Sequence, residues 1–300
     1  MKSFLPILCT LICAPFLLSV INRVKAWFAG RKGIPLLQPY YDLIKQFKKG
    51  AVFSRTVSCV FKLSPSLGFA SVLGALLLLP QFGIEPLFSF DGDFMLFIYL
   101  LGLMRFFMLL ASLDTASSFE GMGASREAFF SMIIEPILLL VFAGLIKMSG
   151  SVELDGIING SYEYMSISVI LIAAVLFVVL LTENSRIPVD DPTTHLELTM
   201  IHEAMVLDNS GPDFGLITYT ASLKLWIFSS IMIQLLWPVY RFEGMTRFFI
   251  TIGGILLTAI AVGVVESIMA RLRLVKVPQL LTGAGALAVI AFLFSIMGGV

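Results

Sequence analysis

A cluster of ionisable residues follows one of the most apolar stretches of the chain. The segment ENSRIPVDDPTTHLE (183–197) comes directly after SVILIAAVLFVVLLT, which has no charged residue. Glu183, Asp190, Asp191 and Glu197 all lie within it. Closely spaced carboxylates raise one another's pKa and can share protons. The segment is therefore either a solvated loop or a proton-relaying device at the edge of a membrane.

The backbone of this segment is restricted, because Pro188 and Pro192 flank the two aspartates. We expect the carboxylates of Asp190 and Asp191 to be held in place rather than to move freely in solvent. Arg186 is expected to neutralise one of them and leave the other free to titrate.

Ionisable residues also interrupt apolar segments, where they are costly and point to function. The candidates are Arg105, Glu127, Glu135, Glu183, Lys224 and Glu266. A spacing of four residues places Glu127, Ser131 and Glu135 on one helical face, with Glu135 near the middle of the membrane. Pro136 frees a backbone carbonyl one turn earlier, which lets water or a partner enter the helix.

These charges have two interpretations. They can form an ion path that enters from the cytoplasm, meets Glu135 and leaves sideways into a neighbouring subunit. They can instead be buried pairs that hold the helices in register. The pairs expected in that case are Lys224 with Glu135, Arg105 with a carboxylate, and Glu266 with Arg271.

Metal, nucleophile and cofactor sites are not predicted. His195 and His202 lie about 10.5 Å apart along a helix, which is too far to share one metal ion. His202-Glu203 lacks the HExxH spacing of zinc proteases, and neither a phosphate loop nor an iron–sulfur spacing of cysteines is present. Any redox chemistry would have to lie on a partner.

The composition identifies the class of protein. The chain has 300 residues, of which 58% are hydrophobic and 13% charged, and its mean hydropathy is +0.96. A soluble domain is roughly 45–50% apolar and about 25% charged. A polytopic membrane protein is therefore predicted. Lys and Arg (20) equal Asp and Glu (20), so net charge gives no indication of nucleic-acid binding.

The predicted fold is all-α, a single integral membrane domain over residues 1–300 with about eight transmembrane helices. A span needs about 20 mostly apolar residues. The predicted spans are roughly 3–22, 65–84, 93–113, 126–147, 164–183, 218–239, 248–270 and 278–298.

The basic residues predict the orientation. Most of the 20 Lys and Arg residues lie in or beside the loops after the first, third, fifth and seventh spans. Only Lys2, Lys147, Arg241 and Arg247 lie on the other side. The positive-inside rule therefore places those four loops in the cytoplasm and both termini outside.

Two cytoplasmic segments are predicted to be more than connections. Residues 35–47 carry apolar side chains at helical spacing with lysines on the other side, which is typical of an amphipathic helix in the membrane interface; an ordinary basic anchor is the alternative. The polar loop 183–217 contains a second predicted helix, 194–207, with Thr193 or Thr194 as its cap.

Four stretches resemble the membrane subunit shared by respiratory complex I, where it is NADH dehydrogenase subunit one, and by energy-converting nickel–iron hydrogenases. They are RKGIPLLQPYYDLIK (31–45), GASREAFFSMIIEP (123–136), ENSRIPVDDPTTHLE (183–197) and ESIMARLRL (266–274). Complex I has a more acidic run after the second proline, where this chain has Thr193, Thr194 and His195. The segment is more similar to hydrogenase-4 and formate hydrogenlyase subunits.

The resemblance implies roles for particular residues. It implies a proton or ion relay, often called the E-channel, through Glu127, Glu135, Glu183, Asp190, Asp191, Glu197, Lys224 and Glu266. It implies a surface that contacts the hydrophilic arm, formed by Arg31, Gln38, Asp42, Lys45, Arg186 and His195. It assigns no catalytic residue, metal or cofactor to this chain.

The resemblance also implies partners and a location. The partners would be the large and small subunits of a nickel–iron hydrogenase, an iron–sulfur subunit and antiporter-like membrane subunits, in the cell inner membrane. Two alternatives remain open. One is a complex I subunit that forms a quinone cavity, and the other is an independent transporter, which the lack of inverted repeats disfavours.

Overall fold

The spans predicted from hydropathy are helices in a computed structural model of the chain, which describes residues 4–160, 167–190, 200–237, 239, 242 and 244–297. The helices are α1 (Phe4–Phe28), α2 (Gln38–Lys48), α3 (Cys59–Leu78), α4 (Asp93–Asp114), α5 (Ser118–Ser149), α6 (Leu154–Gly160), α7 (Ile167–Glu183), α8 (His202–Met205), α9 (Pro212–Leu236), α10 (Gly244–Ile268) and α11 (Val277–Met297). The described residues contain no β-strand.

Among the described residues, 7 helices are long and apolar enough to cross a membrane: α1, α3, α4, α5, α9, α10 and the stretch that contains α11. The predicted fifth span is α7, an apolar helix of 17 residues. The all-α, polytopic fold is confirmed. Buried apolar side chains of these eight helices form one core.

Several helices begin earlier than predicted, among them α3 and α5. α3 begins at Cys59 and contains Pro65, because Ser58 caps its first turn by accepting a hydrogen bond from the Val60 amide at 3.1 Å. α5 has 32 residues, about 48 Å, and so it is longer than the roughly 30 Å hydrocarbon core of a bilayer. Its first turns, from Ser118, extend to the 200–208 segment.

The amphipathic segment is a helix, as predicted. None of the residues of α2 is fully buried, and the helix packs against α1 and α9. Its Tyr40 hydroxyl donates to the Ile12 carbonyl of α1 at 2.6 Å. The end of the bundle next to α2 is called the α2 end below, and the other the far end.

The predicted helix over 194–207 is present only in part among the described residues. Residues 191–199, which include Asp191, Thr193, Thr194, His195 and Glu197, lie outside the described residues. From residue 200 onwards only His202–Met205 is helical. The reason is local, because a carboxylate rather than a helical carbonyl accepts from the amides of Ile201 and His202.

α1 is opened by a proline in the middle of its span. Pro15 has no amide proton, so the carbonyl of Leu11, four residues earlier, lacks its helical donor. The Tyr219 hydroxyl of α9 donates to that carbonyl at 2.8 Å. Since the neighbouring Ile12 carbonyl accepts from Tyr40, the opened turn of α1 is bonded to both α2 and α9.

This arrangement predicts a dependence between two substitutions. Tyr219→Phe leaves the Leu11 carbonyl without a partner and should lower the free energy of unfolding by about 1–3 kcal/mol. In a Pro15→Ala background the helix supplies its own donor, and the same change should cost much less. Thermal unfolding of the four purified proteins measures the difference. Equal losses in both backgrounds would mean that the Tyr219 hydroxyl does not compensate for the donor that Pro15 lacks.

Candidate functional site

Glu183 forms the centre of a buried ion-pair cluster. Its Oε1 lies 2.8 Å from Arg105 Nη2 of α4, and its Oε2 lies 2.8 Å from Lys224 Nζ of α9. The side chains of Glu183, Lys224 and Arg105 are 1%, 5% and 7% exposed. Arg105 Nη2 also lies 4.0 Å from Oε1 of Glu135 on α5. These four residues are called the central cluster.

The central cluster lies deeper than the sequence suggested. Lys224 is more than three turns from the start of α9 at Pro212, about 18 Å along its axis. Glu183 reaches it because α7 ends inside the bundle, and the following Ile187, Val189 and Asp190 are also buried. The polar loop therefore starts within the protein rather than at its rim. The expected pairing of Lys224 with Glu135 is replaced by pairing with Glu183.

A cavity of about 150 Å³ opens beside this cluster at the α2 end. Its charged and titratable lining residues are Arg105, Glu127, Glu183, Arg186, His202, Glu203 and Lys224. Leu18, Met104, Met108 and Phe214 supply an apolar wall. The cavity therefore combines several ionisable groups with enough room for a few water molecules, each of which takes about 30 Å³.

Glu127 differs from the other carboxylates of the cavity. Glu183 has a cation at each oxygen, whereas Glu127 has no ion pair within 4.0 Å among the described residues. One turn later, the Ser131 hydroxyl donates to the Glu127 backbone carbonyl at 2.7 Å and not to the Glu127 carboxylate. Glu127 therefore lines the cavity without the close cations that hold Glu183.

The expected pairing of Glu266 with Arg271 is also replaced by other partners. Glu266 is bonded not to Arg271 but to Lys25 of α1, at 3.0 Å, and to Arg186, at 3.4 Å. The Glu266 side chain is fully buried between them. Arg186 follows a turn at Ser185, whose positive φ of 50° directs the chain back under α10.

Asp190 holds the loop together. Its Oδ1 lies 2.6 Å from Arg271, and its Oδ2 accepts from the amides of Ile201 and His202 at 3.1 and 3.0 Å. The Pro188 carbonyl accepts from the Leu272 amide at 3.0 Å. Arg271 therefore has the role that the sequence assigned to Arg186. Asp190 is buried and multiply bonded, which is the geometry of a structural anchor.

The segment after residue 200 forms one wall of the cavity, and α4 and α5 hold it there. The Arg126 guanidinium donates to the Met200 carbonyl at 3.0 Å, and the buried Glu120 accepts from the Asp208 amide at 3.0 Å. A side chain at Gly123 would approach the Ile201 carbonyl to 2.9 Å, so the close contact of α5 with this segment requires glycine.

Sequence reasoning missed several residues of the site. Arg105 was recognised as a buried charge without a role in the relay, and His202, Glu203 and Glu120 were given none. His202 lines the cavity, where burial, helped by Lys224 and Arg186, lowers its pKa to about 4. The sequence around His202 has no pattern that would predict its position in the cavity wall.

The residues expected to contact a hydrophilic arm lie mostly on the exposed side of the α2 end. Arg31, Asp42 and Lys45 are exposed, and Gln38 donates to Asp42 at 2.8 Å. Arg186 is instead inside the bundle with Glu266. Among the described residues, no group of three or more His, Cys, Asp or Glu side chains could hold a metal ion.

Comparisons with known proteins agree with this architecture. A family model described as NADH dehydrogenase matches residues 1–297. Hydrogenase-4 component C of Escherichia coli (strain K12) is 28% identical over 297 residues, covering 96% of this chain and 93% of that protein. Formate hydrogenlyase subunit 4 of the same organism is 29% identical over 293 residues, covering 93% of each.

A solved structure has the same fold. It is a chain of the membrane-bound sulfane sulfur reductase, described as an archaeal respiratory membrane complex. The two chains are 17% identical and superpose with a TM-score of 0.85, over 98% of this chain and 100% of the other.

Because the charges of the central cluster balance one another, we expect removal of Glu183 alone to cost more stability than removal of Glu183 and Lys224 together. Glu183→Gln leaves the buried Arg105 and Lys224 without their shared anion and should destabilise the protein by about 3–5 kcal/mol. Adding Lys224→Met to Glu183→Gln should recover a large part of that loss. Thermal unfolding of the single and double variants tests this. A double variant less stable than Glu183→Gln alone would contradict it.

Proposed function

The chain belongs to the NADH dehydrogenase family, and we propose that it is the coupling subunit of a hydrogenase-type respiratory complex in the inner membrane. Redox chemistry would take place on a nickel–iron hydrogenase arm bound at the α2 end, and this chain would link it to proton or sodium movement. The family match over residues 1–297 and the two Escherichia coli relatives support the kind of complex. The observation that carries the mechanism is the charged cavity beside the central cluster.

The ion path begins at Glu127. This carboxylate lines the cavity and has no ion pair within 4.0 Å among the described residues, so it can take up a proton or a cation from the α2 end. Arg105, Glu183 and Lys224 line the same cavity. A change of charge on the partner arm would change the electrostatic interactions among these charges. It would thereby change the affinity of Glu127 for a proton or a cation.

Glu135 provides the exit. Its side chain is 48% exposed on the surface of the bundle and lies 4.0 Å from Arg105. A half-exposed carboxylate at this depth is costly against lipid, so we infer that an antiporter-like membrane subunit covers this face. The path therefore leaves sideways, from Glu127 past Arg105 to Glu135 and into that subunit.

Asp190 and Glu266 have a supporting role in this scheme. Glu266 is paired with Lys25 and Arg186, and Asp190 is paired with Arg271 and also accepts from two backbone amides. They hold the 184–190 loop against α10 and the 200–208 segment, and so they keep the cavity in shape. The roles of Asp191, Glu197 and His195 stay predictions from the resemblance.

The alternative function is that of the quinone-binding subunit of complex I. The cavity between α1, α2 and α9 is the place for such a ligand, and its volume is about 180 Å³. Pockets for small organic ligands usually have about 300–1,000 Å³. The smaller volume favours a subunit that moves ions without holding a quinone.

Two isosteric substitutions test the path. Glu127→Gln and Glu135→Gln should each lower the number of ions moved per electron several-fold, because an amide cannot carry the charge. Both variants should keep hydrogenase activity with an artificial electron acceptor and should stay attached to the complex. Ion uptake into vesicles, measured beside electron flow, gives the ratio.

The matched control is Glu85→Gln, an exposed acidic residue at the far end. Its ratio should equal that of the unsubstituted complex. If Glu127→Gln and Glu135→Gln also leave the ratio unchanged, the carboxylates are structural and the proposed path is wrong.

A further inference from the structure

A polar stripe runs along α9 on the side away from Lys224. It consists of Thr218, Ser222, Trp226, Ser230 and Gln234, spaced four residues apart, so the stripe winds slowly around the helix by about 40° per step. The stripe extends over about 24 Å, most of the hydrocarbon thickness of a bilayer. Successive residues turn by about 100°, and this places Lys224 about 200° away from Trp226. The middle of the stripe therefore lies on the opposite side of α9 from the central cluster, whereas Thr218 at its α2 end also lines the cavity beside that cluster.

The stripe packs against α1 and against the turn after α3, which folds into the bundle. Gln81 of that turn is 3% exposed. Its Oε1 accepts from the Trp226 indole and from the Thr10 hydroxyl, both at 3.2 Å. On the next turns of α9, Gln234 donates to the Pro80 carbonyl at 3.0 Å and to the Ser230 hydroxyl at 2.9 Å.

Three buried polar atoms along this contact have no hydrogen-bond partner among the described residues. They are Gln81 Nε2, Ser229 Oγ and Gln234 Oε1, and their residues are 3%, 0% and 1% exposed. The indole can only donate, so it must face Gln81 Oε1, and the orientation of that amide is fixed with its Nε2 left over. One surplus donor, one hydroxyl and one surplus acceptor are a complementary set for water.

Unpaired polar groups at this depth are expensive. Each costs several kcal/mol in hydrocarbon, and buried groups of this kind are normally satisfied by protein or by ordered water. At the α2 end the stripe meets the cavity of about 180 Å³, where Thr218 and Ser222 lie opposite Asn22, Asp42 and Gln46. That volume has room for several waters.

We propose that this contact, here called the α9 seam, binds ordered water and provides a second proton route, through the far half of the bundle. The α9 seam consists of the stripe together with Thr10, Gln81 and Ser229. Each hop forms one O–H bond on the receiving water and breaks another on its far side, so no residue of the α9 seam has to change charge. The ligand class is water and its excess proton, because amides and hydroxyls supply no fixed negative charge for a metal ion. The route deepens the proposed function and rests on it only for the source of the protons.

Hydration is tested by thiol reactivity, without reference to any activity. Ser229→Cys is compared with Ile231→Cys, an equally buried position of α9 (2% exposed) that has no place in the α9 seam. Both are made in the assembled complex after Cys9, Cys13 and Cys59 are replaced by Ala. Methyl methanethiosulfonate reacts with the thiolate, which forms readily only where water reaches. Mass spectrometry should find Cys at 229 modified roughly tenfold faster; equal rates would mean a dry contact and would overturn the proposal.

Proton transfer is tested with Gln81→Leu and Gln234→Leu, and the exposed Gln279→Leu of α11 is the control. Each of the first two should lower proton uptake per electron at least twofold, while electron flow to an artificial acceptor and the control remain unchanged. An unaltered ratio in both would overturn the route. Because Glu127→Gln is scored separately, a loss there with no loss here would leave the proposed function standing and reject the α9 seam alone.

Discussion

A carboxylate held between two cations in the interior of a membrane bundle is the interaction on which the rest of this structure depends. Removing Glu183, Arg105 and Lys224 from water is costly, and their mutual attraction repays that cost only when the geometry is good. Both carboxylate oxygens lie 2.8 Å from a cation. Since the three side chains come from α7, α4 and α9, the three helices must meet at one depth. The early end of α7 and the buried loop after it follow from that requirement.

Non-helical backbone inside a membrane protein is tolerated only where protein or water satisfies its polar groups. The chain meets this condition at both ends of the bundle. At the α2 end, Asp190 and Glu120 accept from amides of the 200–208 segment. At the far end, Gln234 and Arg247 donate to the carbonyls of Pro80 and Gly83 in the turn after α3. Side chains of the spans thus take over the hydrogen bonding that a helix would otherwise provide.

Hydropathy and charge predicted the class of fold, the spans and the amphipathic helix from the sequence, because a bilayer imposes length and polarity on each span. The ionisable residues that the sequence placed within spans all lie in helices of the bundle. Their partners were not predicted correctly, since pairing depends on which faces of distant helices meet. Arg271 pairs with Asp190, and Arg186 pairs with Glu266, although Arg186 is nearer to Asp190 in sequence. The role of Glu120 and the inward fold of the turn at Gln81 depend on tertiary contacts that no local pattern encodes.

The exposure of Glu135 has a consequence for biogenesis. A charged side chain at the centre of a transmembrane helix costs roughly 2.5–3.5 kcal/mol on insertion scales. A newly inserted copy of this chain without a neighbour would bear that cost on an open face of α4 and α5, and the arrival of the neighbour would remove it. In the proposed complex, part of the stability of this subunit would thus be supplied by assembly, and a single uncovered carboxylate would mark orphaned copies for membrane quality control.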